Sequence, residues 1–251
     1  GAGNSGVDIA SDASRTAARS FLSMRRGYHF IPKHVFGMPA DVFALTGALL
    51  PMRLQQLTFA LVMRLLNGDV TRHGLKKPDH LPLSSHPIVN TTALHAMAHG
   101  DLVPKVDIER FDGRTIVFTD GSREEIDLVV AATGYVHKVP FADEALVASD
   151  GHESNLFLRS ISRRDPSFAA IGFVEVNGSV NPIYDQFADL IASFYAERAK
   201  GSAKADEFAR IAASGAYDVS GAVNYVASPR HTVYANVQAS MRAARKLRRR
   251  M

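Results

Sequence analysis

The residues best suited to chemistry stand first in the chain, where "GAGNSG" spells Gly1-x-Gly3-x-Ser5-Gly6. Closely spaced glycines ahead of a helical pattern form a turn that an oxyanion can approach. The first permits the tight turn, the second removes a side chain that would collide with a diphosphate, and the third lets the helix sit close on its sheet. The helix that follows aims unpaired N–H groups and the positive end of its dipole at the same anion. Ser5 adds a hydroxyl donor, and Asn4 stands in the same turn. After the next apolar run, "RSFLSM", come Arg25 and Arg26. A site for an unphosphorylated adenosine ribose carries a carboxylate about 20 residues after the turn, to accept from the 2′-hydroxyl. A carboxylate would repel a 2′-phosphate, whereas guanidinium forks pair with one. The two arginines therefore point to NADP(H) rather than NAD(H).

Such a turn works only on a βαβ frame. Val7, Ala10, Ala13, Ala17 and Ala18 recur near helical spacing and predict a helix over 7–19, and "RSFLSM" (19–24) reads as a buried strand. The order is turn, helix, strand: a βαβ unit without its first strand. Residues 40–66 read as amphipathic helices, with Pro51 among them, and 76–87 as a proline-rich loop. A short helix is expected at 91–99. Asp112-Gly113 and Asp120-Gly121 are hairpin signals between alternating apolar residues. They lead into "DLVVAATGY" (127–135), which reads as a buried parallel-type strand. A domain boundary is expected near 136. Beyond it "NLFLRSI" and "SFAAIGFVEV" read as strands, "NGSVNP" as a turn, and 183–200, 203–214 and 232–250 as helices.

The composition suits a packed, soluble core, at 46% hydrophobic and 22% charged residues. The net charge of +4 is concentrated, because Arg242, Arg245, Lys246, Arg248, Arg249 and Arg250 fall in the last ten residues. Without them the chain is near neutral, which argues against a nucleic-acid face spread over the fold. The absence of cysteine removes thiolate ligands, thiol nucleophiles and dithiol redox chemistry from these residues. In the most apolar stretch (43–66), Arg53, Gln55, Gln56 and Arg64 are too polar for a simple membrane span. Helices packed on the protein are expected there, with a surface lying against a membrane as the rival reading. No secretory leader pattern opens the sequence, so a cytoplasmic protein is expected, with membrane association held open.

Other candidates are weaker. His95 and His99 at i, i+4 lack a Glu beside the first and any evident third ligand, so no metal site is expected. Ser5 is not in a nucleophile elbow, which would need glycine where Val7 stands. Asp8 and Asp12 read as a solvated helix face.

Four motifs in order resemble the flavin-containing monooxygenase family across essentially the whole chain. "GAGNSGVDIA" is similar to that family's NADPH turn, the second of its two glycine motifs. "LSMRRGYHFIP" resembles the segment after the next strand, with its paired arginines. "VVAATGY" resembles the ATG-type link from the NADPH domain back to the FAD domain. "AAIGFVEVNGSVNPIYDQFADLIASFY" resembles the closing part of the FAD domain. The resemblance implies an α/β fold: a Rossmann-like dinucleotide-binding domain with a β-meander at 1–135, carrying a helical insertion near 40–66. The C-terminal portion of a second, FAD-binding α/β domain would follow at 136–251, ending in a basic helix. The family's first glycine motif does not occur here, and the chain starts inside the second without its leading strand. The expectation is thus a C-terminal fragment of a longer protein, inactive by itself.

For the intact enzyme the resemblance implies NADPH reducing FAD, and reduced flavin taking up O2 as a C4a-hydroperoxyflavin. An amine nitrogen or a sulfide would then be oxygenated, with the catalytic groups centred on the flavin and in the absent part. Gly1, Gly3, Asn4, Ser5 and Gly6 would hold the pyrophosphate, and Arg25 and Arg26 the 2′-phosphate. Thr133 and Gly134 would bring an interdomain turn near the cofactors. Asn181 and Pro182 would start a helix whose positive end faces the flavin, with Gln186 nearby. Two alternatives stay open: a Baeyer–Villiger monooxygenase, and a non-catalytic NADP-binding module.

Overall fold

Helix α1 (Asn4–Ala13) starts earlier than its alanine spacing suggests. Gly3 is its N-cap in extended backbone, and the Val7 N–H donates to the Gly3 carbonyl at 2.9 Å. Asn4, Ser5 and Gly6 therefore form the first helical turn. The helix also stops well short of residue 19. Ser11 Oγ donates to the Val7 carbonyl (2.7 Å) and Ser14 Oγ to the Ser11 carbonyl (2.9 Å), and such hydroxyls compete with the helical ladder.

The computed structural model describes residues 1–46, 50–135, 139–147, 155–215, 217–227 and 234–251. Two compact units divide the chain. One holds residues 1–43, 56–82 and 87–136, the other 44–55, 83–86 and 137–251.

In the first unit, β1 (Ser20–Ser23) follows α1. Short strands β2 (Phe30–Ile31), β3 (His34–Val35) and β4 (Met38–Pro39) come next, with β3 and β4 antiparallel. Helices α2 (Ala40–Thr46) and α3 (Met52–Asn67) follow, with Pro51 just ahead of α3; residues 44–46 and 52–55 of these helices fall in the second unit. Strand β5 (Ile88–Val89) pairs parallel with β2, and α4 (Thr92–His99) follows it. Strand β6 (Leu102–Lys105) pairs parallel with β1. Strands β7 (Ile108–Asp112), β8 (Thr115–Phe118) and β9 (Arg123–Glu125) form the antiparallel meander that the Asp-Gly pairs announce, with Gly113 and Gly121 at positive φ in its turns. Glu124 ties the meander to the parallel pair, accepting from Lys105 Nζ at 2.7 Å and Arg19 at 2.6 Å. The core joins Val7 and Ala10 of α1 to Leu22, Ile88, Ala93 and Leu102.

The stretch 127–135 corrects an expectation. Among the described residues it forms no strand, and Leu128, Val129 and Val130 are exposed, Leu128 at 79%. A strand exists only by pairing, and here no described neighbour supplies a ladder.

The second unit contains α5 (Glu144–Val147) and the antiparallel pair β10 (Leu156–Phe157) and β11 (Ile161–Ser162). Helices α6 (Asn181–Ala199), α7 (Ala203–Ser214) and α8 (Val237–Arg248) complete it. "SFAAIGFVEV" is not the strand its apolar run suggests. It makes only isolated bridges, Ala169 to Ile161 and Glu175 to Tyr234. Helix α8 starts at Val237, with Asn236 accepting from the Ala239 N–H as its cap. Phe157, Phe187, Leu190, Phe194, Phe208 and Leu247 are central to this unit's core.

Candidate nucleotide-binding site

The amino end of α1 is open toward an anion. Gly3 caps it without a side-chain hydrogen bond, and no described acceptor is recorded for the N–H groups of Asn4, Ser5 and Gly6. A helix leaves its first N–H groups unpaired, and together with the dipole they make a ready oxyanion site. Ser5 is exposed at this end while Gly6 is buried.

The glycines are explained by close approach. A Cβ on Gly6 would stand 2.0 Å from the Gly1 carbonyl oxygen and 3.2 Å from Ala132 Cβ. A Cβ on Gly1 would stand 2.2 Å from the Ala132 carbonyl oxygen. Two predicted site segments thus meet: the "AATG" backbone runs directly against the turn. Gly134 sits at φ +102°, in the left-handed region where a side chain is strained, and Thr133 beside it is exposed. Ala132 is the contact that motif spacing did not single out.

The Asn4 side chain is engaged with backbone. Its Nδ2 donates to the Pro87 carbonyl at 3.0 Å, and its Oδ1 accepts from the Val89 N–H at 2.8 Å. Both ends of the amide are engaged with backbone, so Asn4 clips β5 to the turn. Asp8 likewise is not simply solvated. It accepts from Asn90 Nδ2 at 2.6 Å, while Asn90 Oδ1 accepts from the Ala93 N–H in the first turn of α4.

Arg25 and Arg26 follow β1, Arg25 exposed and Arg26 half-buried with its guanidinium over the Tyr28 ring at 5.4 Å. The loop 76–80 closes on this pair, a feature the sequence reading missed. A Cβ on Gly27 would fall 2.4 Å from the Lys76 carbonyl oxygen, and Lys76 Nζ donates to the Arg25 carbonyl at 3.3 Å. His29 Nε2 meets the His80 carbonyl at 2.8 Å, and burial pushes the His29 pKa down. The signal available in the sequence was Gly27 directly after the arginines.

In the second unit, Asn181 and Pro182 open α6 as expected, with Val180 as N-cap. Gln186 Oε1 accepts from Arg245 Nε at 3.0 Å. The His95 and His99 rings pack edge to face with centroids 4.4 Å apart, and no group of three or more metal-binding side chains occurs among the described residues.

The family model for flavin-binding monooxygenase-like proteins matches residues 1–209. "Flavin-containing monooxygenase 5" of Cavia porcellus is 35% identical over 195 residues, 73% of this chain and 36% of that protein. "Indole-3-pyruvate monooxygenase YUCCA8" of Oryza sativa subsp. indica is 31% identical over 172 residues, 61% of this chain and 40% of that protein. "4-hydroxybenzoate brominase (decarboxylating)" of Marinomonas mediterranea is 27% identical over 215 residues, 80% of this chain and 40% of that protein. The chain thus spans at most about two fifths of the length of these relatives. With a family model covering most of its residues, the chain belongs to the flavin-binding monooxygenase-like family.

Proposed function

We propose that the chain forms the nucleotide-binding part of a flavin-dependent monooxygenase that uses NADPH and O2 to oxygenate an amine nitrogen or a sulfide sulfur. The observation that carries this reading is the amino end of α1, which has no side-chain cap and lies against the Ala132 backbone. The residues fit a dinucleotide: side chains at Gly1 and Gly6 would overlap backbone, and the first-turn amides have no side-chain cap.

In this reading the N–H groups of Ser5 and Gly6 donate to the pyrophosphate, and the Ser5 hydroxyl adds a further donor. Asn4 holds the turn against β5. Arg25 and Arg26 pair with the 2′-phosphate, and Tyr28 supports the Arg26 guanidinium. Thr133 and Gly134 would stand beside the bound nucleotide, next to the Ala132 backbone that meets the turn. The positive end of α6, at Asn181 and Pro182, favours negative charge on a flavin ring placed near it. Flavin, when bound, supplies the reductive activation of O2, which no side chain can provide. A peripheral membrane contact belongs to the same reading. Leu54, Leu57, Leu61 and Leu65 form an exposed stripe on α3, Leu65 at 75%, and the helix carries Arg53 and Arg64 with no carboxylate. No helix among the described residues is long and apolar enough to cross a membrane, so α3 would lie along the surface.

The test is nucleotide selectivity. Arg25→Ala/Arg26→Ala should weaken NADPH binding about 10-fold or more and leave NADH nearly unchanged, as expected for lost charge-assisted bonds. Equal losses for both nucleotides refute the 2′-phosphate assignment. Absorbance near about 450 nm in the purified chain would report bound flavin.

A further inference from the structure

Helix α8 carries more positive charge than its fold requires. Its inward face (Val237, Ser240, Ala243, Ala244, Leu247) is buried, while its last turn holds Arg245, Lys246 and Arg248. The negative end of a helix dipole amounts to about half a charge, so one exposed cation already complements it. Arg245 stands three residues from both Arg242 and Arg248 and four from Arg249, and like charges at these spacings repel. No Asp or Glu occurs anywhere in α8 to relieve them.

Two of these arginines are held in place by α6. Arg245 Nε donates to Gln186 Oε1 at 3.0 Å, and Arg248 donates to Asp189 Oδ2 at 2.5 Å. Each is fixed through one N–H and keeps its other donors. Among the described residues no side-chain partner of Arg249 is found, and the three side chains border an open depression of about 270 Å³. That space equals several water volumes at about 30 Å³ each, room for a tetrahedral oxyanion. One carboxylate against three guanidiniums leaves two positive charges unbalanced at the depression.

We propose that Arg245, Arg248 and Arg249 form a binding site for a phosphate dianion. Planar guanidinium forks match phosphate oxygens in pairs. The α6 contacts fix two forks beforehand, so less side-chain freedom is lost when the anion arrives. The phosphate is either a free one, inorganic or on a small metabolite, or the headgroup of an anionic lipid. The site is independent of the nucleotide reading, since it lies wholly in the second unit.

The test uses the full chain carrying Arg25→Ala/Arg26→Ala, so that phosphate binding in the first unit does not contribute. Inorganic phosphate is titrated by calorimetry at constant ionic strength. Saturable binding should weaken about 10-fold or more in Arg245→Gln/Arg249→Gln, the loss expected for two charge-assisted contacts. Arg249→Glu, which leaves both α6 contacts in place, should weaken it as well, and circular dichroism should report unchanged helix content for both variants. In a second arm the chain is floated with phosphatidylcholine vesicles with and without phosphatidic acid. Flotation only with phosphatidic acid that is lost in the α8 variants assigns a lipid headgroup, and phosphate binding without such flotation assigns a soluble source. Phosphate heats and flotation that are absent, or that are the same in the α8 variants, overturn the proposal.

Discussion

Replacing Gly6 with alanine sets two opposing effects against each other. Alanine favours a helix over glycine by about 0.8–1 kcal/mol, so propensity alone predicts a more stable α1. The structure predicts the reverse. The new Cβ would stand 2.0 Å from the Gly1 carbonyl oxygen, against a practical limit of 3.0 Å, and the obstacle is backbone. The first turn must shift by about 1 Å, a distortion typical of overpacking at about 1–3 kcal/mol. The net expectation is a loss of up to about 2 kcal/mol, the overlap outweighing the propensity gain. A 1 Å shift also takes N–H···O bonds near 2.9 Å beyond useful length. Losing one charge-assisted bond costs about 1.5–3 kcal/mol, which raises the Kd for NADPH roughly 10- to 100-fold. Urea unfolding followed by circular dichroism, with a fluorescence titration of NADPH, measures both effects. A Gly6→Ala chain that gains about 1 kcal/mol and binds NADPH normally would show that the turn neither packs on Gly1 nor touches the nucleotide.

Gly27→Ala should push the 76–80 loop off the arginine pair, because its Cβ meets the Lys76 carbonyl oxygen at 2.4 Å. NADPH titration should show reduced preference over NADH, and faster proteolysis in the loop should accompany it. His29, its pKa held down by burial, binds fewer protons folded than unfolded. Stability should therefore be unaffected at high pH and fall as pH drops below about 6.5. His29→Gln should flatten that limb in urea unfolding measured across pH. Glu124, with its pKa lowered first by the Lys105 hydrogen bond, adds a second loss as pH falls through its folded value, and Glu124→Gln should remove it. Leu57→Glu/Leu61→Glu should abolish sedimentation with anionic vesicles if α3 lies on lipid, and unchanged sedimentation would refute that contact.

Residue types and spacing made several parts legible. The tight turn into α1 and the two Asp-Gly hairpins were readable because each depends on local backbone chemistry: a missing Cβ, or a turn that tolerates positive φ. Helix α7 was legible from its periodicity for the same reason, its apolar residues falling on one face within a single segment. Other parts depended on partners distant in sequence. Apolar content gave 127–135 and 167–176 the look of strands, yet a strand is defined by a neighbour's hydrogen bonds, and those are decided by tertiary pairing. The engagement of both ends of the Asn4 amide with backbone around β5, more than 80 residues away, had no signal in the local sequence. The contact of Ala132 with the glycine turn, and of Lys76 with Arg25, join segments that no local pattern links. The sequence by itself determined which chemistry each segment can perform, because that resides in side-chain type and backbone freedom. Only the tertiary structure decided which segments meet, because long-range packing selects among many locally equivalent arrangements.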